Sequence, residues 1–80
     1  MRTAASSELV AFGRTVRKAR RDRELSQEAL ADEAGLSAKH IGEIERANKD
    51  PRLTTVLKIA RALELRSSEL LAEFDERLDA

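Results

Sequence analysis

SQEALADEAGLSAKHIGEIER, residues 26–46, carries apolar or small side chains at Leu30, Ala31, Ala34, Leu36, Ile41 and Ile44. Gly35 divides them into two blocks. Leu30, Ala31 and Ala34 have the i, i+1, i+4 spacing of one helix face, and Ile41 and Ile44 have the i, i+3 spacing of another. Ser26 and Ser37 precede the two blocks, where a hydroxyl can accept from an orphan backbone N–H and start a helix. Gly35 can take the positive φ that ends the first helix, which a residue with a Cβ resists. Only Leu36 and Ser37 then separate the helices, so they must cross steeply instead of lying side by side. That is the geometry of a helix-turn-helix. Ala31 is expected where the helices cross and Leu36 is expected to point inward at the turn.

Outside this stretch the composition sets the limits. The chain has 80 residues, enough for one domain with one small core. It has no cysteine and no metal-ligand cluster by sequence, which suits a reducing, cytoplasmic setting and implies neither metal nor cofactor. No apolar run is long enough to span a bilayer, and the N-terminus lacks a signal-peptide core. One proline, three glycines and two aromatics argue against a sheet protein, and abundant Ala, Leu, Glu, Arg and Lys argue for helices. Fifteen basic and fifteen acidic residues cancel. Their distribution does not. Arg14, Arg17, Lys18, Arg20, Arg21 and Arg23 crowd the first quarter, and Glu69, Glu73, Asp75, Glu76 and Asp79 crowd the tail. A molecule with a basic end and an acidic end is expected, as for a DNA-facing side and a side facing away. An ordinary solvated helical surface has similar charge runs.

The remaining chain reads as further helices. Residues 1–6 are expected to fray, with Ser6 or Ser7 capping a first helix that runs to about Arg23. Its apolar stripe is Leu9, Phe12, Val16 and Ala19. Gly13 inside it costs about 1 kcal/mol against alanine, so tertiary packing must hold that helix. The second helix spans about 27–34 and the third about 38–46. Asn48 can adopt a left-handed conformation after the third, and Pro51 bars a continuous helix. A fourth helix, beginning near Thr54, is expected to bury Leu53, Val56, Leu57, Ala60 and Leu63. Leu65 anchors the next turn. Ser67 is expected to cap a fifth helix with Leu70, Leu71, Phe74 and Leu78 on one face. The reading is an all-α, five-helix chain forming a single domain over 1–80, with 66–80 as a C-terminal dimerisation helix.

The segments FGRTVRKAR (12–20), ELSQEALADEAGLSAKHIGEIER (24–46) and DPRLTTVLKIARALEL (50–65) resemble the lambda repressor/Cro-like (XRE-type) helix-turn-helix domains. The family's hallmarks fall on Gln27, Ala31, Gly35, Ile41, Ile44 and Glu45. The resemblance covers roughly residues 9–71. It implies a five-helix DNA-binding fold that acts as a dimer in transcription regulation. Two positions depart from it: Glu24 and Ala47 stand where the family usually has glycine. Both are sites of expected positive φ, costing roughly 1–2 kcal/mol for a residue with a Cβ; Asn48 is a candidate to take over the helix-ending role after helix three.

Helix three is expected in the major groove of double-stranded DNA, its N-terminal side chains on base edges. Ser37, Ala38, Lys39 and Glu43 point away from the Ile41–Ile44 face. Lysine donates to guanine O6 and N7, glutamate accepts from cytosine N4, and alanine meets a thymine methyl. The resemblance places these four on the family's base-reading positions. The bland alternative makes Lys39 and Glu43 a surface ion pair. Gln27, at the start of helix two, is expected on a phosphate, as its family counterpart is. His40, Arg46, Asn48, Lys49 and Arg52 flank helix three or its loop and are phosphate candidates; Arg14 and Arg17 are weaker ones. The resemblance also implies a partly buried ion pair between Arg20 and Glu45 that orients helix three.

Leu71, Phe74 and Leu78 recur at three and four residues, beyond what a five-helix monomer needs to cover. They are expected in a homodimer interface, together with part of helix four. The alternative folds Phe74 back as core. No nucleophile–base–orienter set or phosphate-cradling glycine loop supports an enzyme, and no small-molecule effector site is evident. Among chains this short, restriction–modification controller proteins and helix-turn-helix antitoxins look similar. The competing class is a protein-interaction module working through its C-terminal helices.

Overall fold

A computed structural model describes residues 6–80, as five helices: α1 (Ser7–Asp22), α2 (Gln27–Ala34), α3 (Ala38–Glu45), α4 (Leu53–Ala62) and α5 (Ser67–Asp79). No strand occurs among the described residues. Of the stretch expected to fray, residues 1–5 lie outside the description and Ser6 is the N-cap of α1, its hydroxyl accepting from the N–H of Leu9 at 3.1 Å. Ser26 and Ser37 cap α2 and α3 in the same way, accepting from Ala29 and His40 at 2.9 and 3.0 Å.

Helices of eight residues are too short to stand alone in water. Packing holds α2 and α3: they lie against each other, α1 braces α3, and α4 braces α2. Val16, Leu30, Ile41, Ile44, Ile59, Leu63 and Leu70 fill the shared core, essentially without solvent contact. Leu25, Leu36 and Leu65 pack against it from the turns. Gly13 shows why α1 tolerates a glycine. A Cβ there would stand 2.6 Å from the carbonyl oxygen of Ile44 and 2.7 Å from that of Glu45. The missing side chain lets α1 lie directly on the C-terminal end of α3.

Four helices end alike. The N–H of Leu25 reaches the carbonyl of Arg20 at 3.0 Å, Leu36 reaches Ala31 at 2.9 Å, Asn48 reaches Glu43 at 2.8 Å, and Leu65 reaches Ala60 at 2.9 Å. Each is the six-to-one bond of a Schellman motif, which needs a left-handed residue just before its donor. Those residues are Glu24, Gly35, Ala47 and Glu64, with φ of 56, 70, 61 and 59°. Ala47, and not Asn48, therefore takes the positive φ after α3. The cause is its place in the ring: Asn48 is the residue that donates the closing bond.

Three other expectations change. α4 begins at Leu53, not Thr54, and Leu53 and Leu57 are 70 and 41% exposed. The buried face is instead Thr55, Ile59, Ala60, Ala62 and Leu63. The helix is rotated so that Ile59, absent from the expected stripe, becomes its central core residue. Ser67 is the first residue of α5 and not its cap; the N–H of Arg66 is held by the carboxylate of Glu69 at 2.8 Å. Finally, basic α1 and acidic α5 pack side by side, so their charges do not occupy opposite ends. Phe12 and Phe74 draw them together, ring centres 6.2 Å apart at 73°.

Candidate nucleic-acid interface

The candidate interface is built outward from a buried anchor. Arg20 of α1 and Glu45 of α3 form a two-pronged ion pair, Nε to Oε2 at 2.7 Å and Nη2 to Oε1 at 3.0 Å. Their side chains are only 11 and 3% exposed. The third arm of the guanidinium, Nη1, donates to the carbonyl of Leu25 at 2.8 Å, in the turn before α2. Gln27 Nε2 at the start of α2 donates to Glu45 Oε1 at 3.1 Å. One carboxylate thus joins three helices and fixes the angle at which α3 stands out. The hydrogen bonds to Glu45 hold the Arg20 guanidinium pKa above its ordinary value, outweighing the opposing effect of burial. Gln27, expected on a phosphate, already spends part of its amide on this anchor.

From that support α3 presents an open side. Ser37 and Lys39 are exposed, and Ala38, His40 and Glu43 are half-buried. Ala38 leans against the core. The Ser37 hydroxyl accepts the helix-starting bond and retains its own proton for donation. No ion pair joins Lys39 to Glu43 among the described residues, so the intrahelical pairing weighed as their alternative role is absent. Arg46 is exposed at the C-cap, but its side chain runs back along α3 and lies over Gly42.

Beside α3, His40, Lys49, Arg52 and Thr55 line one cleft of about 290 Å³ together with Asp50 and Pro51. Three expected phosphate contacts are therefore brought together. Arg52 is also the N-cap of α4, a helix start with no side-chain cap. Its first N–H groups add partial positive charge to this end. Asn48 is exposed in the same loop. Arg14 and Arg17 are exposed on α1.

The C-terminal residues divide. Leu71 is 37% exposed, whereas Phe74 packs against the core as well as on Phe12. Leu78 is half-buried. Leu53 and Leu57 are more exposed than Leu71, against their expected place in the core. A shallow groove of about 160 Å³ lies between Leu9, Phe12, Val56, Leu71 and Phe74.

Residues 16–70 match the helix-turn-helix family profile. The chain belongs to the helix-turn-helix family. Its type is the lambda repressor/Cro-like one. It is 34% identical over 61 residues to the immunity repressor protein of Bacillus phage phi105, covering 76% of this chain and 42% of the repressor. The chain thus spans less than half the length of that relative. It is 38% identical to the restriction–modification controller protein C.AhdI of Aeromonas hydrophila, with a TM-score of 0.79 over 81% of this chain and 98% of that one. The fold is also shared, at a TM-score of 0.88 and 21% identity, with the controller protein C.Esp1396I, solved as a tetramer with its 35-base-pair operator; 94% of this chain and 99% of that one are covered. No helix among the described residues is long and apolar enough to cross a membrane.

Proposed function

We propose that the protein is a sequence-specific regulator that binds its operator as a homodimer, with α3 of each copy in the major groove. The observation that carries this is the open edge of α3: Lys39 is exposed, neither Lys39 nor Glu43 forms an ion pair among the described residues, and the Arg20–Glu45–Gln27 anchor holds the helix from behind. Ser37, Ala38, Lys39 and Glu43 read base edges. His40, Lys49 and Arg52, gathered in one cleft, hold the backbone phosphate beside the groove, with Asn48 and the N-terminus of α2 at Gln27 as further phosphate contacts. The role is regulatory, not catalytic, and its place is the cytoplasm. Similarity to C.AhdI along nearly that protein's whole length supports a restriction–modification controller in particular.

A module this small touches too few bases to be selective alone, so two copies on a two-fold operator are required. Leu53 and Leu57 of α4 and Leu71 of α5 supply an apolar face for self-pairing, bordered by the groove that Phe74 helps to line and with Leu78 further along α5.

A gel shift against the DNA upstream of the protein's own gene tests the reading. Specific binding is expected, weakening steeply with added salt as phosphate contacts are lost. Lys39→Ala should relax discrimination between operators, whereas Arg52→Ala should weaken every duplex alike. A chain that dimerises but shifts no duplex would support the protein-interaction or antitoxin alternative instead.

A further inference from the structure

Helix geometry places Arg46 on the most outward line of α3. Ile41 and Ile44 define the inward face. Seven residues make nearly two turns, so Lys39 and Arg46 stand almost in line opposite that face, with Cα atoms about 10 Å apart. An Arg46 side chain pointing out or onward would reach the flanking phosphates. It does neither. A Cβ on Gly42 would meet Arg46 Nη1 at 2.9 Å and both Cζ and Nη2 at 3.6 Å. The guanidinium therefore lies one turn back from its own Cα, against the helix at the level of Gly42. Gly42 is buried although it sits on the exposed half of the helix, because this side chain covers it. Any larger residue at 42 would occupy the place the guanidinium now takes.

We propose that Arg46 is a base-reading, specificity-determining residue, and that Gly42 is the gap that lets it be one. Its planar fork matches guanine O6 and N7, and its back-folded pose over Gly42 brings it alongside the part of α3 that carries Glu43 in sequence. No hydrogen bond or ion pair holds the guanidinium among the described residues, so it meets DNA with its donors free. The inference rests on the groove-binding reading above and assigns one more base position to it.

The test is selection from a randomised duplex pool with the intact wild-type protein, Arg46→Gln and Gly42→Ala. Each protein is then titrated against the selected operator and a scrambled duplex of the same length. Arg46→Gln should relax one base position in the enriched motif and weaken the operator by roughly tenfold to a hundredfold, with a much smaller loss on the scrambled duplex. Gly42→Ala keeps every charge and should relax the same position while leaving scrambled-duplex affinity unchanged. Equal losses on both duplexes with an unchanged motif in Arg46→Gln would make Arg46 a phosphate contact and overturn the inference alone. Relaxation in Arg46→Gln but not in Gly42→Ala would overturn the role given to the gap. A wild-type protein that enriches no motif would overturn the groove-binding reading itself, and this inference with it.

Discussion

Arg20 of α1 and Glu45 of α3 hold each other through both carboxylate oxygens, at 2.7 and 3.0 Å, which ties the second helix of the helix-turn-helix to a helix outside it. Removing one member leaves the other buried without its partner, which costs about 3–5 kcal/mol in such pairs. Arg20→Ala should therefore lower the melting temperature far more than Arg21→Ala, an exposed neighbour expected to change stability by no more than about 0.5 kcal/mol. Thermal unfolding by circular dichroism decides it, and equal midpoints would remove the pair from the account of α3. The pH behaviour follows from the sign of the shift. A guanidinium raised above its ordinary value stabilises the fold fully below the unfolded arginine pKa. That contribution is lost only as pH climbs through the still higher folded value. Arg20 should add no slope to stability across the neutral range, and a mid-pH transition that vanished in Arg20→Ala would contradict this.

Gly13→Ala sets propensity against packing. Alanine favours an isolated helix by about 1 kcal/mol over glycine. Here its Cβ would press on two backbone carbonyls at 2.6 and 2.7 Å, and neither can swing aside. Overpacking of this kind typically costs about 1–3 kcal/mol. The variant should be less stable than wild type, and α3, the element it pushes, should lose operator affinity along with it. A Gly13→Ala protein that melts higher would show that the contact between α1 and α3 is loose.

The central helix pair was legible because several local signals agree there. Ser26, Gly35 and Ser37 mark its ends chemically, and Leu30, Ile41 and Ile44 mark its faces. α4 was less legible for a reason of phase. Leu53 and Leu57 are as apolar as Ile59, and a stripe drawn through them is a valid helix face. Only the positions of α2 and α5 rotate the helix so that Ile59 is buried and the leucines are not. Sequence gave the turn after α4 its leucine anchor but hid the left-handed residue, because Glu64 carries no sign of positive φ. The back-folded pose of Arg46 was equally hidden. Its signal was Gly42 one turn earlier, a glycine inside a short helix with no turn to make.

Three of the four left-handed caps carry a Cβ, so the protein holds strain that glycine would remove. The left-handed conformation costs about 1–2 kcal/mol for such residues. Glycine returns part of that through the freedom it gives the unfolded chain, about 0.4–1 kcal/mol. Glu24→Gly, at an exposed site with no hydrogen bond to its carboxylate among the described residues, should raise stability by up to about 1 kcal/mol. Glu24→Ala should change little, since the backbone penalty stays. Denaturant titration of both separates backbone strain from loss of the glutamate charge: equal gains would point to the charge.

The exposed leucines and the tail aromatic predict different failures. Leu53 projects from the first turn of α4 into solvent at 70% exposure and is no part of the described core. Phe74 packs on Phe12 and the core of its own copy. Leu53→Asp should therefore leave the helical spectrum intact, yet convert dimers to monomers in sedimentation and weaken operator binding. Phe74→Asp should damage the monomer first, by about 2 kcal/mol or more, because a half-buried aromatic packed against the core is lost and a charge takes its place. A fold-preserving Leu57→Asp variant should repeat the Leu53→Asp result, because the two residues sit one turn apart on the same line. Charge placed at either leucine costs little in water and much inside an apolar pairing face. An unchanged dimer mass in both variants would move the interface off α4 altogether.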